Sequence, residues 1–210
     1  MRIISVNVGQ PREIETPQGI VLTSIFKSPV ERVTARNHNL SGDRQSDLSV
    51  HDGPYKAVYA YPHEHYKYWA SELPDHKLTP GNFGENLSIE GLTEEQAHIG
   101  DQFRIGSAIL EVTQPRMPCF KLALRFGRRD MVKRFWRSGR SGFYLSIAQE
   151  GELAPGDEIE RLTTQPDSVS VADVVRLFKG ETDDEDLYQR AMRSSLSGSW
   201  KQGIRERLGS

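Results

Sequence analysis

Eight short runs rich in β-branched and aromatic residues, broken by Gly and Pro at irregular intervals, are spread along the first 162 of 210 residues. They are Arg2–Val8, Ile20–Phe26, Arg32–Ala35, Ala57–Tyr61, Phe103–Ile105, Ala108–Thr113, Phe143–Ile147 and Glu158–Leu162. Such runs suit pleated, half-buried surfaces, and the punctuation forces turns between them. A helix is expected over Pro62–Ala70, with Pro62 in the first turn, where its missing N–H has no cost. A second helix should begin near Cys119 and a third near Arg129. Short strands with a few inserted helices predict a mostly β fold with α over residues 1–163, a β-barrel-like domain with irregular crossovers.

The pattern changes after Thr163. Ser170-Val171-Ala172-Asp173 has capping-box spacing, and Val171, Val174, Val175 and Phe178 form a helical apolar stripe. Further helices are expected over Asp184–Met192 and Ser199–Leu208, making residues 164–210 a small three-helix unit. So few residues bury little core, so the unit is expected to pack on the barrel or on a partner. It carries seven basic and eight acidic residues, which argues against a DNA-binding role.

The chain has a single cysteine, which excludes an intramolecular disulfide and a cage of cysteines around a metal. Cys119 lies in Gln114-Pro115-Arg116-Met117-Pro118-Cys119-Phe120-Lys121-Leu122, where two prolines stiffen the approach to the sulfur. Flanking positive charge favours thiolate over thiol. An isolated cysteine of this kind is usually a buried packing residue, but the charge around it points elsewhere. From Gln114 to Arg140 there are nine Lys or Arg against Asp130 alone, a segment of +8 in a chain of −2, so the remainder carries −10. Concentrated positive charge in an otherwise acidic chain suits a polyanionic small molecule, a phosphate group especially. About half of these cations are expected to line a pocket. The other half should lie on the solvated face of a helix whose buried side holds Met131, Val132, Phe135 and Trp136.

Three further segments are punctuated by glycine: Ser41-Gly42-Asp43-Arg44-Gln45 leading to His51-Asp52-Gly53-Pro54-Tyr55-Lys56-Ala57-Val58, then Pro80–Leu87, then Gly100–Gly106. Glycines let backbone approach a ligand closely, and polar side chains between them, such as Arg44, His51 or Asn86, can be presented at a pocket wall. A neutral imidazole at His51 can exchange protons near neutral pH. His63 and His65 are two apart on an expected helix and face different ways, so zinc is not expected. No P-loop, dinucleotide fingerprint, nucleophile elbow or HExxH motif is present. No apolar run approaches the length of a membrane helix and the N-terminus lacks signal-peptide features. With one free thiol, a cytoplasmic protein with no membrane or nucleic-acid partner is expected.

In their order, GDRQ, HDGPYKAV, GNFGENL and GDQFRIGSAILEVTQPRMPC resemble the MOSC-domain proteins. YPHEHYKYW and the helical tail resemble the YiiM group of that family, which adds a small three-α domain. The chain has Asp52 and Tyr55 where the usual family motif reads HGGPDKAV. The resemblance implies a β-barrel that binds the molybdenum cofactor, molybdopterin with its metal, with Cys119 as the metal ligand. Lys27, Arg44, Asn86, Arg116 and Lys121 are the expected cofactor-binding residues, and Cys119 and His51 the expected catalytic ones. Pyridoxal phosphate is not expected. It further implies an oxidoreductase that takes oxygen from an N-hydroxylated small molecule such as a hydroxylaminopurine, with His51 supplying a proton. Electrons would come from a separate donor protein, because the chain has no flavin, haem or iron–sulfur motif. The alternatives are a cofactor carrier or sulfur-transfer protein that uses Cys119 without turnover, and an interaction protein that works through its tail.

Overall fold

The computed structural model describes residues 1–44, 54–165 and 167–208. Eight strands form one sheet in the spatial order β13 (Ile159–Thr163), β9 (Gln102–Ile105), β10 (Ala108–Pro115), β11 (Phe143–Gln149), β7 (Val58–Pro62), β8 (Leu87–Glu90), β1 (Arg2–Val8) and β4 (Ser28–Val30). All neighbours pair antiparallel except β7 and β8. A parallel pair needs a crossover, which α1 (Glu64–Glu72) and the loop after it provide. A smaller sheet joins β12 (Gly151–Leu153), β5 (Val33–Arg36) and β6 (Asn39–Leu40), and β2 (Arg12–Thr16) with β3 (Gly19–Thr23) makes a separate hairpin.

The large sheet does not close into the barrel that the strand pattern predicts. β1 offers its second edge to two different segments. Val6–Val8 take β4, whereas Arg2 forms only an isolated bridge to Glu158 in the turn before β13. Ile3 donates to Asp157 O at 2.9 Å, so the turn touches the start of β1 without forming a ladder along it. The molecule is thus a mixed β/α fold around a large open sheet.

Local expectations also shift. The apolar run Ile20–Phe26 stops being a strand at Thr23, and Ser24–Lys27 depart from the hairpin. Pro62 closes β7, opposite Ile89, and the helix starts two residues later. α2 (Phe120–Phe126) and α3 (Met131–Ser138) begin where expected, and both end at a glycine in the left-handed region. The glycine-punctuated loop Pro80–Leu87 leads directly into an interior strand, Leu87–Glu90, that is not among the eight runs expected from the sequence.

Two buried clusters hold this arrangement. One fills the sheet with Ile3, Val6, Leu87, Phe103, Leu110, Val112 and Phe143. The other is largely aromatic: Tyr61, Trp69, Phe83, Phe126 and Phe135 join β7, α1, α2 and α3, with Trp69 and Phe135 stacked at 5.8 Å. Trp69 donates its indole N–H to the Tyr61 hydroxyl at 2.7 Å, so the polar edge of each ring is satisfied inside the cluster. The last three helices are α4 (Val171–Lys179), α5 (Glu185–Arg193) and α6 (Gly198–Leu208). Ser170 and Asp184 cap the first two by accepting from Asp173 N and Leu187 N, each at 3.0 Å. Val174, Leu177, Leu187, Trp200 and Ile204 belong to the same buried cluster as the sheet residues. Backbone bonds from Ile99 N to Val169 O and from Val171 N to Ala97 O tie the two regions at 2.9 Å each. No described helix is long and apolar enough to cross a membrane.

Candidate functional site

Four adjacent strands, β10, β11, β7 and β8, together with β4 on the far side of β1, converge on one open cleft. Cys119 and Arg116 follow β10, Tyr144 is the second residue of β11, Tyr59 lies on β7, Asn86 precedes β8 and Lys27 precedes β4. All of them line the cleft, together with Asp43, Arg44, Lys56 and Lys121. Six of the expected site residues, Lys27, Arg44, Asn86, Arg116, Cys119 and Lys121, are thereby brought together. His51 and its neighbour Asp52 lie outside the described residues.

Asp43 organises one wall. Its carboxylate accepts from Lys27 Nζ at 2.6 and 2.7 Å, from Gly9 N at 2.7 Å and from Asn86 Nδ2 at 2.9 Å. Both side chains of the ion pair are nearly inaccessible, Lys27 at 9% and Asp43 at 3%. Burial lowers the Lys27 pKa, the adjacent carboxylate opposes that shift, and the net direction is down. Asn86 is held from both ends, since its Oδ1 accepts from Tyr59 N at 3.1 Å. The loop that delivers it is wrapped around buried Glu85, which accepts from Gly81 N, Phe83 N, Ser88 Oγ and the Tyr66 hydroxyl. Gly84 in that loop has φ +80°, and a Cβ there would stand 2.8 Å from Ile25 Cγ1. Only glycine lets the loop close against Ile25.

Arg116 forms the opposite wall. It is buried, with its guanidinium over the rings of Tyr59 at 4.7 Å and Phe135 at 5.3 Å. Burial works against its charge, but Tyr59, Tyr144 and the Cys119 sulfur outweigh it, and its pKa is raised. Desolvation likewise raises the phenols of Tyr59 and Tyr144, despite the nearby guanidinium. Burial lowers the Lys56 pKa. Arg116 Nη1 and Ser24 Oγ are buried yet have no hydrogen-bond partner among the described residues. Buried polar atoms without partners are rare in folded proteins and suit a missing oxyanion ligand. Cys119 is a free, half-buried cysteine immediately before α2.

The basic cluster divides differently from the expected halves. Of its nine cations only Arg116 and Lys121 line the cleft. Arg134 pairs with Glu72 at 2.6 Å, Arg128 with Asp130 at 3.0 Å, and Arg140 covers the Tyr68 ring. Most of these side chains extend away from α2 and α3 and find local partners, so sequence proximity overstated their role. The remaining cleft cations, Lys27, Arg44 and Lys56, come from distant segments. Asp43 and Lys56 went unselected although both lie within the glycine-punctuated motifs, because an acid beside a basic site reads as a turn residue. Tyr59 and Tyr144 read as ordinary strand residues. His65 lies 2.7 Å from buried Glu94.

A cationic cleft around a free cysteine, set on a mixed open sheet, defines a class of protein that comparison identifies directly. Residues 47–160 match the MOSC domain, and the chain belongs to that family. It is 38% identical over 201 residues to YflK of Bacillus subtilis, covering 95% of this chain and 90% of that protein. The crystal structure of YiiM from Geobacillus stearothermophilus superposes with a TM-score of 0.81 at 33% identity, covering 99% of this chain and 98% of that one. A Gibberella moniliformis protein named Reductase is 32% identical over 170 residues, 80% of this chain but only 30% of that larger protein.

Proposed function

We propose that this protein is a molybdenum-cofactor-dependent oxidoreductase that reduces N-hydroxylated compounds such as hydroxylaminopurines, with Cys119 as the metal ligand. The observation that carries this reading is the joining of Cys119 to five cations in one cleft, with a buried guanidinium nitrogen that no described group satisfies. A soft thiolate suits a transition metal, and the cations suit the phosphate and the electron-rich ligand. Membership of the MOSC family and likeness to a protein named Reductase support the class of chemistry.

When bound, the cofactor would supply two-electron transfer. The net reaction is R–NHOH + 2 H⁺ + 2 e⁻ → R–NH₂ + H₂O, with electrons delivered by a separate donor protein. Arg116 and Lys121 would hold the anionic part of the cofactor beside the sulfur. Lys27, fixed by Asp43, would hold charge on the far wall, and Asn86 would offer an amide held in one orientation. Tyr59 and Tyr144 stay protonated because burial raises them, so they add little negative charge beside the ligand. His51 is proposed as the proton source.

The test is molybdenum analysis of protein purified from a molybdenum-replete host, with reductase turnover measured on 6-hydroxylaminopurine and a chemical reductant. One molybdenum per chain with turnover, both lost in Cys119→Ala, is the expected result. Bound metal without turnover would make the protein a carrier, and persulfide on Cys119 without metal would make it a sulfur-transfer protein.

A further inference from the structure

Cys119 borders two clefts. Besides the cationic one, the sulfur lines a second cleft whose other walls include Gln114, Met117, Phe178, Ser199 and Trp200. Resting on the reductase reading, we infer that this second cleft binds the planar heteroaromatic part of the substrate, an uncharged base that presents an N–H edge to Gln114.

Gln114 is the independent observation. It is 2% exposed, and its Oε1 is buried with no hydrogen-bond partner among the described residues. The strand that carries it is bulged between Val112 and Gln114, where Thr113 is the extra residue, so Gln114 falls opposite Tyr144 at the site. A buried amide oxygen without a donor is costly, and a ligand N–H removes that cost. A carboxamide offers an acceptor and a donor side by side, the pattern that matches an amino group next to a ring nitrogen in adenine-like bases.

The rest of the cleft selects for a flat apolar body. Phe178 on α4 meets Trp200 on α6 edge to face at 4.8 Å, giving an aromatic wall. Gly203 lets the two helices close that far: a Cβ there would stand 2.4 Å from Phe178 Cε2. Met117, 43% exposed, supplies an adaptable thioether on the other side. Lys56 and Tyr144 stand on the border shared with the cationic cleft, and Lys56 is the single formally charged residue lining the second one among the described residues. An anion would therefore go to the first cleft and an uncharged ring to the second, with the sulfur between them.

The test titrates adenine, the product base, into full-length protein from a molybdenum-replete host by calorimetry. One site per chain is expected. Gln114→Met should weaken adenine at least about tenfold, the equivalent of one lost hydrogen bond, with molybdenum content unchanged. Met117→Ala, on an exposed side chain that folding does not need, should weaken it several-fold and reads the same cleft if Gln114→Met does not fold. Absence of adenine binding to the parent, or equal affinity in the variants, overturns the subsite. Adenine binding that depends on Gln114, in a protein that cannot reduce 6-hydroxylaminopurine, supports the subsite while the reductase reading falls. Turnover with an unchanged KM in Gln114→Met leaves that reading standing and overturns the subsite.

Discussion

Removing Asp43 tests whether the Lys27 wall is as dry as its burial implies. In Asp43→Ala, Lys27 loses both contacts of 2.6 and 2.7 Å, and Gly9 N and Asn86 Nδ2 lose their acceptor. Leaving one partner of a buried pair uncompensated costs about 3–5 kcal/mol. The escape route sets a similar ceiling for the charge itself. From an ordinary value of 10.5, deprotonating Lys27 costs about 1.36 kcal/mol per pH unit, roughly 4.8 kcal/mol at pH 7. The sign of the pH dependence follows. Burial already holds the folded pKa of Lys27 below the unfolded one, and losing Asp43 lowers it further. Between those two values the unfolded chain binds the extra proton, so the variant should gain stability with rising pH, by up to about 1.4 kcal/mol per unit until near pH 10.5. Urea unfolding of protein from molybdenum-starved cells measures this without a contribution from bound ligand. The double variant Asp43→Ala/Lys27→Met should recover most of the loss, with a coupling energy above about 2 kcal/mol. A loss below about 1 kcal/mol at pH 7, or additive single effects, would refute the claim that the pair is shielded from water.

Cys119→Ala should abolish molybdenum retention while shifting Tm by only a few degrees, because the half-buried side chain fills little core; metal analysis and thermal scans check both. Arg116→Met should weaken cofactor retention about tenfold or more through the lost charge-assisted bond, whereas Arg134→Met, paired with Glu72 outside the cleft, should leave it unchanged. Of the seven tyrosines, Tyr59, Tyr61, Tyr66 and Tyr144 have raised pKa values through burial. Their stabilising effect is fully present below the unfolded value near pH 10 and declines as pH rises through the folded values, so ultraviolet titration should show Tyr59, Tyr61 and Tyr66 ionising only as the chain unfolds and Tyr144 ionising above its ordinary value.

The strands and helices were largely legible because Val, Ile and aromatic runs broken by Gly mark them locally. Ring closure was not, since it depends on which segment takes the second edge of β1, and nothing in Arg2–Val8 records that Glu158 will form a bridge rather than a ladder. Lys27, Asn86, Arg116 and Cys119 emerged as a set through resemblance and motif order. Asp43 did not, because its role is to hold Lys27 and Asn86, and such a positioning role is visible only in three dimensions. The surplus of charge on Arg128, Arg134 and Arg140 misled for the opposite reason: each finds an acid or a ring nearby. Gln114 gave no signal at all, because an unsatisfied amide is a property of its surroundings.

The convergence of the cleft also bears on timing. Its members span Thr23 to Tyr144 and arrive on strands whose spatial order differs from their order along the chain. The parallel pairing of β7 with β8, which sets Tyr59 against Asn86, waits on the crossover through α1. A nascent chain lacks the complete cleft until β11, which carries Tyr144, is in place. On the proposed reading, cofactor loading would follow folding, and a cell that loads the protein would select, by the act of binding, the chains that have finished.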